Sequence, residues 1–111
     1  MANSYIEVTQ EDFAEKVLDA PTLVIVNFST EKSNACQILD PEFEAVSKEY
    51  QDQVTFAKFN VTGQDELTSQ WKVDGVPTLI FFKGGHEIYR IPGIVMRNKL
   101  RRRIEGVLLA N

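Results

Sequence analysis

Leu23-Val24-Ile25-Val26 is apolar at four consecutive positions, and Phe28 resumes the run after an interruption at Asn27. A strand with one wet face alternates apolar and polar residues, whereas one apolar at every position must be covered on both faces. Such a strand commits the chain to layers, with a sheet in the middle and helices above and below it. The length of 111 residues predicts one domain covering 1–111.

The flanking segments supply the layers. Ile6-Glu7-Val8 alternates and predicts a short first strand. Thr9, with Asp12 three residues later, resembles a capping box with aspartate in place of glutamate or glutamine. The helix it opens would bury Phe13 and Val17 and stop before Ala20-Pro21. Ser33 or Asn34 can cap a second helix, whose apolar side runs Leu39, Phe43, Val46, Tyr50, and Pro41 inside it predicts a kink. Val54–Phe59 reads as a third strand and Asp65–Trp71 as a short helix with Leu67 and Trp71 on one side. Thr78–Phe82 is a strong strand, turned by Lys83-Gly84-Gly85-His86 into its partner Glu87–Ile91. Pro92-Gly93 ends that strand, and a last helix runs from Arg97 to Leu109. The expected architecture is α/β, a central mixed sheet flanked by helices on both faces.

Charge narrows the partners. Twelve basic against sixteen acidic residues give a formal charge of −4, which repels nucleic acid and anionic membrane. The basic run Arg97–Arg103 reads as the solvent face of the last helix, since Leu100, Ile104 and Leu108 recur every four residues and no aromatic is interleaved. No apolar stretch approaches the roughly 20 residues that span a bilayer. Met1–Tyr5 lacks the basic patch and apolar core of a cleaved signal. A lone cysteine excludes a disulfide scaffold, so a cytoplasmic setting is expected.

That cysteine, Cys36, ends the tetrad Ser33-Asn34-Ala35-Cys36 just beyond the apolar strand. Two cysteines at this spacing could form a reversible disulfide, but a hydroxyl holds the first place, so no internal disulfide can form. Ser33 cannot replace a thiolate, because a hydroxyl stays protonated at neutral pH and exchange at sulfur needs the anion. Nucleophilic catalysis by Ser33 would need a base in reach, and the only histidine, His86, sits on the hairpin turn. Ser33 is therefore expected to cap the helix or donate a hydrogen bond in a groove. One cysteine and one distant histidine make no metal site, and no cofactor is implied. Cys36 reads as a partly buried, inert sulfur or as a slow monothiol. Its place near a helix N-terminus would favour the thiolate and apolar shielding would oppose it.

Val26-Asn27-Phe28, Ser33-Asn34-Ala35-Cys36, Pro41, Ala57-Lys58-Phe59-Asn60-Val61, Gly75-Val76-Pro77-Thr78-Leu79, Phe82-Lys83-Gly84-Gly85 and Gly93 follow one another in the order and at the separations of the thioredoxin family. The resemblance covers nearly the entire chain and implies the thioredoxin fold. It implies a cis Val76–Pro77 bond beside the reactive turn, and a groove formed by Lys32, Asn34, Ala35, Val76, Pro77 and Gly93 that takes an extended protein segment. The departures fall on the chemistry. Where the family carries Trp-Cys-Gly-Pro-Cys, this chain has Lys32-Ser33-Asn34-Ala35-Cys36, so Ser33 stands for the attacking cysteine and Cys36 for the shielded, resolving one. Asn27 stands for the family's buried, proton-accepting aspartate, and Lys58 matches the lysine beside it and would here face an amide. The expected function is a redox-impaired protein- or peptide-binding module. The alternative is weak monothiol exchange through Cys36 with an external thiol such as glutathione.

Overall fold

The computed structural model describes residues 4–110. Met1–Asn3, the first part of the segment expected to lack a cleaved signal, and Asn111 lie outside them. Five strands form one sheet in the order β1-β3-β2-β4-β5, with β1 Ile6–Val8, β2 Leu23–Ser29, β3 Val54–Asn60, β4 Thr78–Lys83 and β5 His86–Pro92. β1, β3 and β2 run parallel to one another, while β4 lies antiparallel to both β2 and β5. β2 is thus central, and all seven of its residues are buried, as its unbroken apolar run requires. Gly84 and Gly85, both at positive φ, make the tight turn between β4 and β5, because two successive left-handed residues match the twist of a hairpin.

The pleat sends β2 residues to two cores. Leu23 and Ile25 face one formed with Phe56, Leu79 and Phe81, covered by helices α1 Asn34–Tyr50 and α3 Arg97–Ala110. Val24, Val26 and Phe28 face the other, with Phe59, Ile80 and Phe82, covered by α2 Asp65–Gln70 and a helical turn at Ala14–Leu18. Leu39, Phe43, Val46 and Tyr50 are all buried, as their spacing predicts. Pro41 lies inside α1, which runs on through it to Tyr50.

The segment expected to be an ordinary first helix is a π-helix. The Asp19 N–H reaches back five residues to the Ala14 carbonyl at 2.9 Å. The widened turn still buries Phe13 and Val17. One half of the expected capping box forms, Thr9 N–H donating to Asp12 Oδ1 at 2.7 Å.

Part of the basic run on α3 is paired. Arg97 grips Glu42 of α1 through its guanidinium at 2.9–3.0 Å and its N–H at 2.9 Å, Arg101 grips Glu49, and the Tyr50 hydroxyl donates to Glu105 at 2.6 Å. These hydrogen bonds from Arg97 hold the Glu42 carboxyl down to about 2 from 4.5. A depressed carboxylate stabilises the fold above its unfolded value and loses that contribution as pH falls through the folded value. The native chain should therefore lose more stability than Glu42→Gln between about pH 5 and pH 2, and added salt should shrink the difference because the pair is exposed. Urea melts of both proteins at the two pH values check this; equal losses would exclude a role for the pair.

Candidate functional site

The parallel strands β1, β3 and β2 end at one edge of the sheet, and the chain turns from β2 into α1 there. At that turn Ser33 is the N-cap of α1. Its backbone is extended, and its Oγ accepts the Cys36 N–H at 3.3 Å while the Gln37 N–H bonds its carbonyl at 3.1 Å. Serine at this place satisfies an amide the helix cannot, so the hydroxyl has a structural partner. Lys32, Asn34 and Ala35 surround it at the start of the helix.

Cys36, one turn in, is completely buried. The Thr30 N–H, on the segment leaving β2, points at its Sγ at 3.5 Å. The thiol is held between helix and sheet and away from solvent. A bulky thiol reagent should react roughly a hundredfold more slowly with the folded than with the denatured chain, the factor for an opening free energy of about 3 kcal/mol. Cys36→Ala should cost about 1 kcal/mol, the loss of a small buried group. Equal alkylation rates in the two states would mean the sulfur is open.

Val76, Pro77 and Gly93 meet in one hollow of about 440 Å³, which Lys72, Asp74, Gly75, Thr78, Arg90 and Pro92 also line. The Val76–Pro77 bond is cis, and the Gly93 N–H donates to the Pro77 carbonyl at 2.8 Å. Gly93 makes that bond at φ +84, a conformation side chains disfavour. Arg90 is tethered to Glu87 and to the carbonyls of Trp71 and Lys72 at 2.6–3.0 Å. Lys32, Asn34 and Ala35 do not line this hollow. They stand at the same end of the sheet, because Phe28, near the end of β2, pairs with Thr78, the residue after Pro77. His86 pairs with Lys83 next to where β2 begins, at the opposite end.

Asn27 and Lys58 are direct partners across β2 and β3, on the face that α1 covers. The structure corrects the expectation that Lys58 faces an amide. Its Nζ lies 2.8 Å from Oδ2 of Asp40, a carboxylate from α1, while Asn27 Nδ2 donates to the other oxygen, Oδ1, at 2.9 Å. The amide and the ammonium converge on one carboxylate. Burial pulls the Lys58 ammonium down, the hydrogen bond and charge of Asp40 push it up, and the net displacement is upward. Asn27 is fully buried, and among the described residues its Oδ1 has no donor. Asp40 and Lys58 open on a polar hollow of about 360 Å³ with Tyr5, Glu7, Ser29, Glu31 and Asn60 on its walls.

Asp40 is the residue that sequence reasoning missed. The available signal was its place four residues after Cys36, which puts both on one side of a helix.

A thioredoxin family model matches residues 4–106. A thioredoxin of Chlorobaculum thiosulfatiphilum is 27% identical over 104 residues, covering 94% of this chain and 96% of that protein. A probable thioredoxin-2 of Caenorhabditis elegans is 38% identical over 100 residues, covering 90% of this chain and 69% of that one. The chloroplastic thioredoxin X of Arabidopsis thaliana is 33% identical over 104 residues, covering 92% and 57%.

Proposed function

We propose that this chain, which belongs to the thioredoxin family, is a member that binds extended protein segments and has lost dithiol exchange. By family it is a thiol–disulfide redox module. The observation that carries the finer reading is the state of the two positions where exchange would occur. Ser33 offers a hydroxyl engaged as a helix cap, and Cys36 is sealed beneath it.

What remains at that end of the sheet supports binding. The hollow around Val76, Pro77 and Gly93 is open, and exposed Ile94 and Met96 follow it in the chain. An extended segment laid there could bond the backbone and set apolar side chains on that surface. Monothiol exchange through Cys36 with glutathione would need a sulfur that solvent reaches, and the complete burial of Cys36 weighs against it.

The test uses cysteine-free peptides, so that binding is separated from exchange. In an amide NMR titration with a panel of extended peptides, shifts should gather at Gly75, Val76, Thr78 and Gly93. Val76→Asp should abolish them. Shifts that gather on another face, or no binding by any peptide, would overturn the reading.

A further inference from the structure

We infer that the cleft between α3 and the edge strand β5 docks an acidic segment of a partner protein. One apolar side chain of that segment sits over Gly106, and its carboxylates pair with Arg102 and Arg103. This surface is separate from the hollow at Val76, Pro77 and Gly93 and does not rest on the reading of that hollow.

Two departures from regular structure meet at this cleft. The first is in the strand. Tyr89 pairs with Phe81 and Glu87 with Phe82, so Ile88 is an extra residue in β5. Such a bulge breaks the alternation of side chains and re-aims one of them. Ile88 and Tyr89, neighbours in sequence, both pack toward the core that α1 and α3 cover, and both stay half-buried. A bulge also turns an edge away from plain strand addition, so a partner is held here through side chains. The second departure is in the helix. Gly106 lies in the interior of α3, and glycine is the poorest helix former after proline. Its backbone is helical, and a Cβ built on it would meet nothing within 4 Å. Neither conformation nor crowding among the described residues requires glycine. The bare backbone leaves a cleft of about 280 Å³, lined by Ile88, Tyr89, Arg102, Arg103, Gly106 and Val107.

Charge identifies the occupant. α3 holds five of the chain's twelve basic residues and one acidic residue, Glu105, although the chain as a whole carries −4. The five fall into two sets. Arg97 and Arg101 turn toward α1 and are held by Glu42 and Glu49. Arg102 and Arg103 are exposed on the walls of the cleft, and among the described residues no carboxylate pairs with either. Residues three and four apart share one side of a helix. Gly106 follows Arg103 by three and Arg102 by four, so the two guanidinium groups flank the bare backbone. Lys99, three residues before Arg102 and four before Arg103, adds an exposed ammonium to the same side.

An apolar floor between unneutralised cations is complementary to an apolar side chain between carboxylates. Burial of the apolar group supplies affinity, and the guanidinium groups, which pair with carboxylates through two parallel hydrogen bonds, supply orientation and speed of encounter. A phosphate backbone would meet the same cations, but it has no group for the floor formed by Ile88, Tyr89 and Gly106, and the net charge of the chain opposes it. The acidic protein segment is the occupant that uses both halves of the cleft.

The experiment is an amide NMR titration of the full chain with a short peptide in which glutamates and aspartates flank a single phenylalanine. Shifts should gather at Ile88, Tyr89, Arg103 and Gly106 and leave Val76 and Gly93 unmoved. Affinity should fall at least about tenfold when the phenylalanine becomes serine, when the carboxylates become amides, or when Arg102→Glu and Arg103→Glu are combined in the protein. Gly106→Leu fills the cleft and keeps both arginines. It should raise the melting temperature by on the order of 5 °C, because the helix gains a better former, and it should abolish the shifts, so lost binding there is not lost folding. No shifts from the acidic peptide, equal shifts from its amide form, or shifts that persist in Gly106→Leu would each overturn the inference. Shifts on this face from an oligonucleotide or from raised protein concentration, with none from the peptide, would assign it to nucleic acid or to self-association and overturn it as well.

Discussion

Replacing Ser33 by cysteine is expected to produce a chain that closes an internal disulfide and reduces insulin, where the unmodified chain does neither. In the native chain the side chain at position 33 already lies over the first turn of α1, its Oγ 3.3 Å from the Cys36 amide. The Gln37 N–H to Ser33 carbonyl bond closes that turn. Positions 33 and 36 are therefore neighbours on one turn, within the Cα separation of about 4.4–6.8 Å that a disulfide spans. On oxidation each sulfur gives up one hydrogen to the added oxidant, and the S–S bond forms without rearranging the helix. A thiol of ordinary pKa is about 3% ionised at pH 7, and a helix N-terminus raises that share. A serine hydroxyl offers essentially no anion.

With dithiothreitol as electron source, insulin precipitation by the Ser33→Cys variant should run at least about tenfold faster than with the native chain, which should match an unrelated protein. The substitution also removes the cap, at a cost of about 1 kcal/mol in the reduced state. Substantial insulin reduction by the native chain would end the proposal that dithiol exchange is lost and make Cys36 a working monothiol.

The parts of this molecule that were legible in its sequence are those set by local period. The unbroken apolar run at Leu23–Val26 could only be a central strand. The four-three-four spacing of Leu39, Phe43, Val46 and Tyr50 could only be one buried helix face, and Gly84-Gly85 between apolar runs marked the hairpin. Ser33 as cap was readable for the same reason, since a hydroxyl before a helical pattern has a known use. What was not legible depended on register and on helix–sheet placement. That Lys58 sits opposite Asn27 follows from the pairing of β2 with β3, and that Asp40 hangs over both follows from how α1 crosses them. Neither is written in any one segment, so the sequence placed Lys58 against an amide, and only the fold shows the carboxylate of Asp40 that both side chains meet. The π-turn at Ala14–Leu18 escaped for a different reason. Its buried residues, Phe13 and Val17, keep the four-residue spacing of an α-helix, and the widened hydrogen bond leaves no trace in that pattern.

Phe13→Ala should be among the most destabilising single changes in the chain, and its effect should reach the binding end of the sheet. Phe13 is 2% exposed. Its ring centroid lies 6.3 Å from that of Phe28, 6.4 Å from Phe59, 6.2 Å from Trp71 and 5.5 Å from Phe82. Truncating a buried phenylalanine costs about 3–5 kcal/mol, a large part of the roughly 5–15 kcal/mol that a domain of this kind has in total. The melting temperature should fall by on the order of 15 °C. Two of these neighbours connect the cavity to function. Phe28 pairs with Thr78, the residue that follows Pro77, and Trp71 precedes the loop that carries Gly75 and Val76 into the hollow. Loosening both should weaken peptide binding and admit reagents to Cys36 faster than in the native chain at the same temperature. Phe13→Leu, which keeps most of the volume, should retain the greater part of the stability and of the binding. Calorimetry and the peptide titration on both variants read the two effects. Binding that survives a full loss of stability in Phe13→Ala would show that the hollow is held together by its own backbone bonds, above all Gly93 to Pro77, and not by the aromatic cluster behind it.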